Sequence, residues 1–176
     1  MIHRRLRFML NDQTGFTLIE MIIAIAIAGL ITAGITAAIM QVLTINTRAS
    51  NHMVAVRQVQ QAGKEVSKDT LQAQGVNASG VEGFPLTLTW DEWGTNQTNT
   101  VVYTLVDMPG GLKQLERTHT FNGTDQATAL PIVAEYIDPG QTSFLPDGDA
   151  FVFTVTAVVG TESETRVYEI EPRPDS

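Results

Sequence analysis

Residues Gly15–Met40 read GFTLIEMIIAIAIAGLITAGITAAIM, and this stretch decides the architecture of the chain. After Glu20, no charged residue appears before Arg48. At a rise of about 1.5 Å per residue, a helix of about 20 apolar residues crosses the ~30 Å hydrocarbon core of a bilayer. We therefore predict that this stretch forms a membrane-spanning helix.

Glu20 is the unusual residue of this stretch, because a carboxylate inside a membrane helix costs about 3 kcal/mol near the bilayer centre. Such an acid needs a partner. If the chain were cut between Gly15 and Phe16, the new α-amino group would lie one helical turn before Glu20. The pairing is most useful between neighbours, where the acid of one subunit meets the N-terminal amine of another as their apolar helices stack.

The string GFTLIE, from Gly15 to Glu20, follows a short basic leader and precedes the apolar run. It resembles the cleavage and methylation signature of type IV prepilins and of the pseudopilins of type II secretion. The resemblance implies that a prepilin peptidase cuts between Gly15 and Phe16 and N-methylates Phe16, and that Glu20 serves assembly. It also implies three kinds of partner, which are other pilins or pseudopilins, a pilus or secretion assembly platform, and the membrane.

Two other interpretations of the same stretch compete. A secretory signal peptide could be cut after Ala24-Ile25-Ala26 or Ala26-Ile27-Ala28, but Glu20 would then lie inside its apolar core. A plain signal anchor explains the length of the stretch but not the placement of Gly15 and Glu20. The rival function is therefore a single-pass, membrane-anchored extracytoplasmic binding domain that does not polymerise.

The orientation of the chain follows from its leader, which carries Arg4, Arg5 and Arg7. Positive charges flanking a span tend to stay in the cytoplasm, so the C-terminal domain should lie outside the cytoplasmic (inner) membrane. The resemblance implies that the processed subunit then enters a filament at the cell surface or in the periplasm. It leaves open whether that filament serves a pilus, secretion or the DNA uptake of competence.

The charge of the chain is uneven. The full sequence carries a net charge of -8, and removal of the leader leaves 8 basic against 18 acidic residues, or -10. From Gly75 onward four bases face fifteen acids, whereas the stretch from Arg48 to Gln74 has four bases and two acids. Because phosphate contacts need Lys and Arg, we expect no direct nucleic-acid binding.

The organisation of the chain follows from its periodicity. No proline occurs from Phe16 to Gln74, and the pattern there is helical, with one apolar stripe beyond the membrane formed by Ala49, His52, Val56, Val59, Gly63 and Val66. We expect four segments, namely a cleaved leader (1–15), a transmembrane and assembly helix (16–45), the amphipathic half of the same helix (46–74) and an exported β-rich head (75–176).

The head begins with a predicted loop at Gly75–Gly83, after which the apolar period changes to two. Six strands are predicted, at residues 86–90, 101–105, 112–121, 132–137, 150–159 and 165–170. Asn122-Gly123 predicts a tight turn. The predicted fold class is α+β and pilin-like, with a long protruding N-terminal helix packed on a mainly antiparallel sheet. The order of these segments is similar to minor pilins of the W type and J-type minor pseudopilins.

Residues for catalysis are scarce in the head. It holds one histidine, His119, one lysine, Lys113, and no cysteine, so Cys-His pairs and multi-His metal sites are excluded. We predict that the protein is not an enzyme. Asp147 and Asp149 are weak calcium candidates, with Asp138 or Asp125 as further ligands, although Asp-Gly-Asp is also an ordinary turn. No other cofactor is expected.

Overall fold

The computed structural model of the protein describes residues 15–92, 94, 97–126 and 131–173. A single α-helix, α1, runs from Leu18 to Thr70. The chain divides into two compact units, with the boundary between Ile45 and Asn46. The first part of α1 therefore belongs to the N-terminal unit, and its second part belongs to the unit that contains the sheet.

The N-terminal unit exposes its apolar side chains. Every described residue up to Ile45 is exposed, and the helix is long and apolar enough to cross a membrane. Its hydroxyl groups are satisfied locally, because Thr32 and Thr36 donate to the carbonyl oxygens of Ala28 and Thr32 at 2.8 and 2.9 Å. Beyond Glu20, this surface therefore suits an apolar surrounding, since it presents no further charge and the hydroxyl groups of Thr32 and Thr36 are hydrogen-bonded.

The second unit contains nine antiparallel strands among the described residues, in the order β1-β2-β3-β4-β6-β8-β7, with β5 beside β4 and β9 beside β8. Their bounds are β1 Gly75–Ala78, β2 Leu86–Asp91, β3 Thr98–Asp107, β4 Lys113–Phe121, β5 Thr124–Asp125, β6 Ile132–Ile137, β7 Ser143–Asp147, β8 Ala150–Val159 and β9 Glu162–Ile170. Three hairpins among the described residues have two-residue turns, at Asn122-Gly123, Gly148-Asp149 and Gly160-Thr161. The predicted tight turn at Asn122 is confirmed, and both of its residues have positive φ.

One face of α1 packs on this sheet. The helix residues that it buries are Ala55, Val59, Ala62, Gly63, Val66, Asp69 and Thr70. They recur at spacings of three and four and meet the inward-facing apolar residues of the strands, among them Leu88, Val101 and Phe153. The predicted fold class, a long N-terminal helix packed on an antiparallel sheet, is confirmed.

Several details differ from the sequence-based expectations. All six predicted strands form, but the expected loop at Gly75–Gly83 is wrong, because it contains β1 and a 3-10 turn at Val81–Gly83. Pairing with β2 imposes this strand, as Gly75 lies opposite Thr89 and the Gln74 N–H donates to the Thr89 carbonyl. The chain also forms β5 and β7, which lack a clear apolar alternation. Strand β7 contains Pro146, which an edge position tolerates.

At Gly63 an aromatic ring of the sheet lies against the backbone of α1. A Cβ placed on Gly63 would lie 2.0 Å from Cζ of Tyr168, a residue of β9. The Tyr168 ring also stacks on Phe153, and its hydroxyl donates to the Val59 carbonyl at 3.2 Å. Glycine therefore serves here to admit an aromatic ring against the helix backbone.

Replacing Gly63 with alanine sets two effects of opposite sign against each other. Alanine favours a helix interior over glycine by about 1 kcal/mol, whereas the added methyl overlaps the Tyr168 ring. We expect Gly63→Ala to lower the free energy of unfolding by about 1–3 kcal/mol, measured by urea denaturation of residues 46–176. The control Gly140→Ala, whose Cβ meets only Asp138 Oδ1 at 3.5 Å, should change it by under about 0.5 kcal/mol. A stabilised Gly63→Ala would show that the ring moves aside freely.

Candidate functional site

The N-terminus of α1 is closed by a reciprocal pair of side chains, Thr17 and Glu20. The Thr17 N–H and hydroxyl donate to Glu20 Oε2 at 2.8 and 2.7 Å, and the Glu20 N–H donates to Thr17 Oγ1 at 3.3 Å. Because Thr17 precedes the first helical residue, Leu18, this arrangement is a capping box with its acid at the third helical position. Within one chain, Glu20 therefore caps its own helix.

The predicted processing residues lie immediately before this cap. Gly15, Phe16 and Thr17 have no regular secondary structure, and Phe16 is 90 % exposed. A Cβ placed on Gly15 would meet nothing within 4 Å among the described residues. The Gly15–Phe16 bond thus lies in an accessible, non-helical segment, which is the state in which chains are cleaved. Cleavage there would place a new amine beside the capping box.

The most buried charged group of the second unit is Asp69, in the last turn of α1, which is 2 % exposed. Its Oδ2 accepts a hydrogen bond from the Tyr103 hydroxyl of β3 at 2.6 Å and an ion-paired hydrogen bond from Arg117 Nε of β4 at 2.7 Å. Tyr103 and Arg117 lie opposite each other in the β3–β4 register. One carboxylate oxygen thus ties the helix end to two strands.

The pKa shifts of the two groups that contact Asp69 are typical of a structural cluster, not of a site that transfers protons. Burial, together with the charge of Asp69, raises the pKa of the Tyr103 hydroxyl. Burial disfavours the charged form of Arg117, but the hydrogen bond and charge of Asp69 outweigh that effect and raise the pKa of the guanidinium. Both groups therefore keep their protons around neutral pH, where they continue to donate to Asp69.

His119 makes contacts that are typical of a structural side chain. Its ring stacks on Trp90 at a centroid distance of 6.2 Å, and its Nε2 lies 2.9 Å from Asn99 Oδ1. Burial, followed by the positive charge of Arg117, lowers the pKa of His119. A neutral imidazole that donates to an amide oxygen accounts for this geometry without a catalytic role.

The structure does not gather ligands around the calcium candidates. Asp147 ends β7 and Asp149 lies in the turn before β8, and both are exposed. The Asp138 carboxylate already accepts hydrogen bonds from the Gly140 N–H and the Gln141 amide, both at 2.9 Å. Among the described residues, no group of three or more His, Cys, Asp or Glu side chains could hold a metal ion. Calcium binding at Asp147 and Asp149 stays a prediction without geometric support.

Sequence reasoning missed two features of these sites. The Thr17-x-x-Glu20 spacing is that of a capping box and could have been recognised. Asp69 follows Val59 and Val66 on the same helix face, so an acid within the apolar period could have signalled a buried polar cluster. Its partners Tyr103 and Arg117 have no such signal, because the contact depends on the three-dimensional packing.

Truncating the partners of Asp69 should destabilise the second unit by unequal amounts. Arg117→Met leaves a buried carboxylate without its counter-charge and should cost about 3–5 kcal/mol of unfolding free energy. Tyr103→Phe removes one neutral donor and should cost about 1–3 kcal/mol. Lys113→Met is the control, because the partner of Lys113, Asp107, is 90 % exposed, and we expect a change within about 0.5 kcal/mol. Urea denaturation measures all three, and a smaller loss for Arg117→Met than for Tyr103→Phe would contradict this ranking.

Comparisons with known proteins bear on the N-terminal site alone. Residues 10–36 match the family model described as the prokaryotic N-terminal methylation motif. No curated protein and no solved structure matches the chain. The matched residues include Gly15, Phe16 and Glu20, and the motif is typical of type IV pilin-like proteins, which a prepilin peptidase processes and which associate with other pilins.

Proposed function

We propose that the protein is a structural subunit of a type IV pilus-like filament. Prepilin peptidase cuts between Gly15 and Phe16, Phe16 is N-methylated, and an assembly platform moves the subunit from the membrane into the filament. The observation that carries the proposal is the methylation motif at residues 10–36, placed at the start of a long apolar helix whose side chains the described chain leaves uncovered.

The apolar half of α1 can leave the membrane and enter a filament because both surroundings are apolar. In lipid, the apolar side chains are already removed from water, so packing against sibling helices gains little hydrophobic free energy. Moving the helix from lipid into a filament therefore changes its hydrophobic free energy little. The specificity of assembly must come from close packing and from polar groups, and Glu20 is the acid that this half of the helix offers.

Glu20 has one partner before assembly and gains another afterwards. In the single chain, Thr17 donates two hydrogen bonds to its carboxylate, which reduces the cost of holding an acid at the membrane surface. Cleavage creates the positively charged amine of Phe16. When subunits stack, the amine of one subunit neutralises Glu20 of its neighbour, and this pairing also fixes their axial register.

The finer assignments belong to the same proposal. We infer that the protein is a minor pilin of the W type or a J-type minor pseudopilin. Before assembly it is anchored in the inner membrane, with residues 75–176 on the outer side. The segments at 1–15, 16–45, 46–74 and 75–176 then serve as leader, assembly helix, amphipathic helix and head. The helix end at Thr70 and the first strand at Gly75 support the last boundary.

Glu20→Gln separates the charge of this residue from its capping role. Glutamine at the third helical position still accepts the Thr17 hydrogen bonds but carries no charge to meet an amine. We expect normal membrane insertion and normal cleavage at Gly15, but a loss of about tenfold or more in the fraction of protein recovered in sheared filaments.

Two further variants complete the test of Glu20. Thr17→Val removes the hydroxyl of the cap and keeps the acid, so filament recovery should fall less than in Glu20→Gln. Glu65→Gln makes the same chemical change farther along α1 and should assemble normally. Wild-type filament recovery for Glu20→Gln would show that this acid only caps its helix. An intact, uncleaved wild-type chain would instead favour the membrane-anchored binding domain.

A further inference from the structure

Strand β9 forms an open edge of the sheet. Among the described residues it pairs with β8 alone, in a continuous register that runs from Val159 opposite Glu162 to Phe151 opposite Ile170. The other strands with a neighbour on one side only are shorter, with four residues in β1, two in β5 and five in β7. At nine residues, β9 is therefore the longest edge strand in the part of the chain that the structure describes.

The hairpin geometry shows which backbone groups of β9 point away from β8. Gly160-Thr161 is a two-residue turn, so the flanking residues Val159 and Glu162 exchange hydrogen bonds, and every second pair after them does the same. The residues of β9 that lie between these pairs direct their N–H and C=O groups outward, away from β8. They are Ser163, Thr165, Val167 and Glu169, and all four are exposed.

β9 lacks several of the features that usually block an open edge. Residues 162–170 read ESETRVYEI, without proline, glycine or lysine, and the register with β8 contains no bulge. Strand β7, by comparison, contains Pro146. The Tyr168 ring lies against α1 at Gly63 and so holds β9 beside the helix. The edge thus offers regularly spaced donors and acceptors to a further strand.

The side chains of this edge favour a basic partner. Residues 162–171 carry four acids and one base, and that base, Arg166, already forms an ion pair with Glu164 at 2.9 Å. Because side chains alternate along a strand, Val167, which is 64 % exposed, and Glu169 lie on the face away from α1. A second copy of β9 would bring four further acids to the same edge, so charge disfavours pairing between identical copies.

We propose that β9 binds an extended segment of a different protein, which adds a strand to the sheet at this edge. Backbone hydrogen bonds to Ser163, Thr165, Val167 and Glu169 hold the segment, and its alternate side chains provide the specificity. The segment that fits places an apolar residue opposite Val167 and Lys or Arg opposite Glu169. The inference does not rest on the proposed filament, because β9 belongs to the second unit.

Photo-crosslinking of the full chain in its native host tests this proposal. A photoreactive phenylalanine analogue replaces Ser163, an exposed residue of the edge. We expect a covalent product whose second peptide comes from a different protein and carries Lys or Arg close to the crosslinked residue. A product with a second copy of this chain or with lipid, or the absence of any protein product, would overturn the proposal.

A proline on the edge shows whether backbone pairing causes the contact. Val167→Pro removes an N–H that points away from β8, so the hydrogen bonds between β8 and β9 remain. We expect the crosslink yield to fall about tenfold or more, because the incoming strand loses a donor and meets the proline ring. Val167→Thr keeps the N–H and a β-branched side chain and should leave the yield within about twofold. A wild-type yield from Val167→Pro would contradict strand addition.

A charge reversal tests the partner's chemistry without altering the backbone of the edge. Glu169→Lys should reduce the yield about fivefold, because it repels a basic segment. The control Asp125→Lys changes an exposed acid of β5, which lies beside β4, and should leave the yield within about twofold. Equal yields from Glu169→Lys and wild type would rule out a basic partner. If Val167→Pro lowers the amount of full chain in the cell, Glu169→Lys alone decides the test.

Discussion

The carboxylate of Asp69 is the contact on which the arrangement of the second unit depends. One of its oxygens accepts from Tyr103 on β3 and from Arg117 on β4, and the three residues lie on three separate elements. An acid so deeply buried is stable only with its counter-charge, so the helix end can occupy few other positions on the sheet. Gly63 also restricts the position of the helix on the sheet, because only a residue without a side chain admits the Tyr168 ring at that point.

The two parts of α1 meet different surroundings, and their compositions follow from this difference. Up to Ile45 the helix exposes apolar residues and no charge beyond Glu20, which suits lipid or sibling helices. From Asn46 onward it buries a stripe of small residues and valines, such as Ala62 and Val66, and exposes charged residues on the other side. A single continuous helix can thus serve membrane anchoring, filament packing and support of the sheet.

Much of the fold could be predicted from the sequence, and the errors have physical causes. Apolar alternation predicted six of the strands. It did not predict β1, β5 and β7, in which the alternation is weak and which form because a neighbouring strand offers hydrogen bonds. The helix stripe was right at Val59, Gly63 and Val66 but wrong at Ala49 and His52, which lie beyond the contact with the sheet and are exposed. The processing motif is local in sequence and was therefore readable, while the partners of Asp69 lie 34 and 48 residues away.

The central claim is that the mature subunit begins at Phe16 and is held in a polymer through its N-terminal helix. The most direct measurement is mass spectrometry of the native protein recovered separately from membranes and from sheared filaments. The account predicts that the filament fraction contains this chain with N-methylated Phe16 as its first residue. A chain that still begins at Met1 and occurs only in the membrane fraction would contradict it.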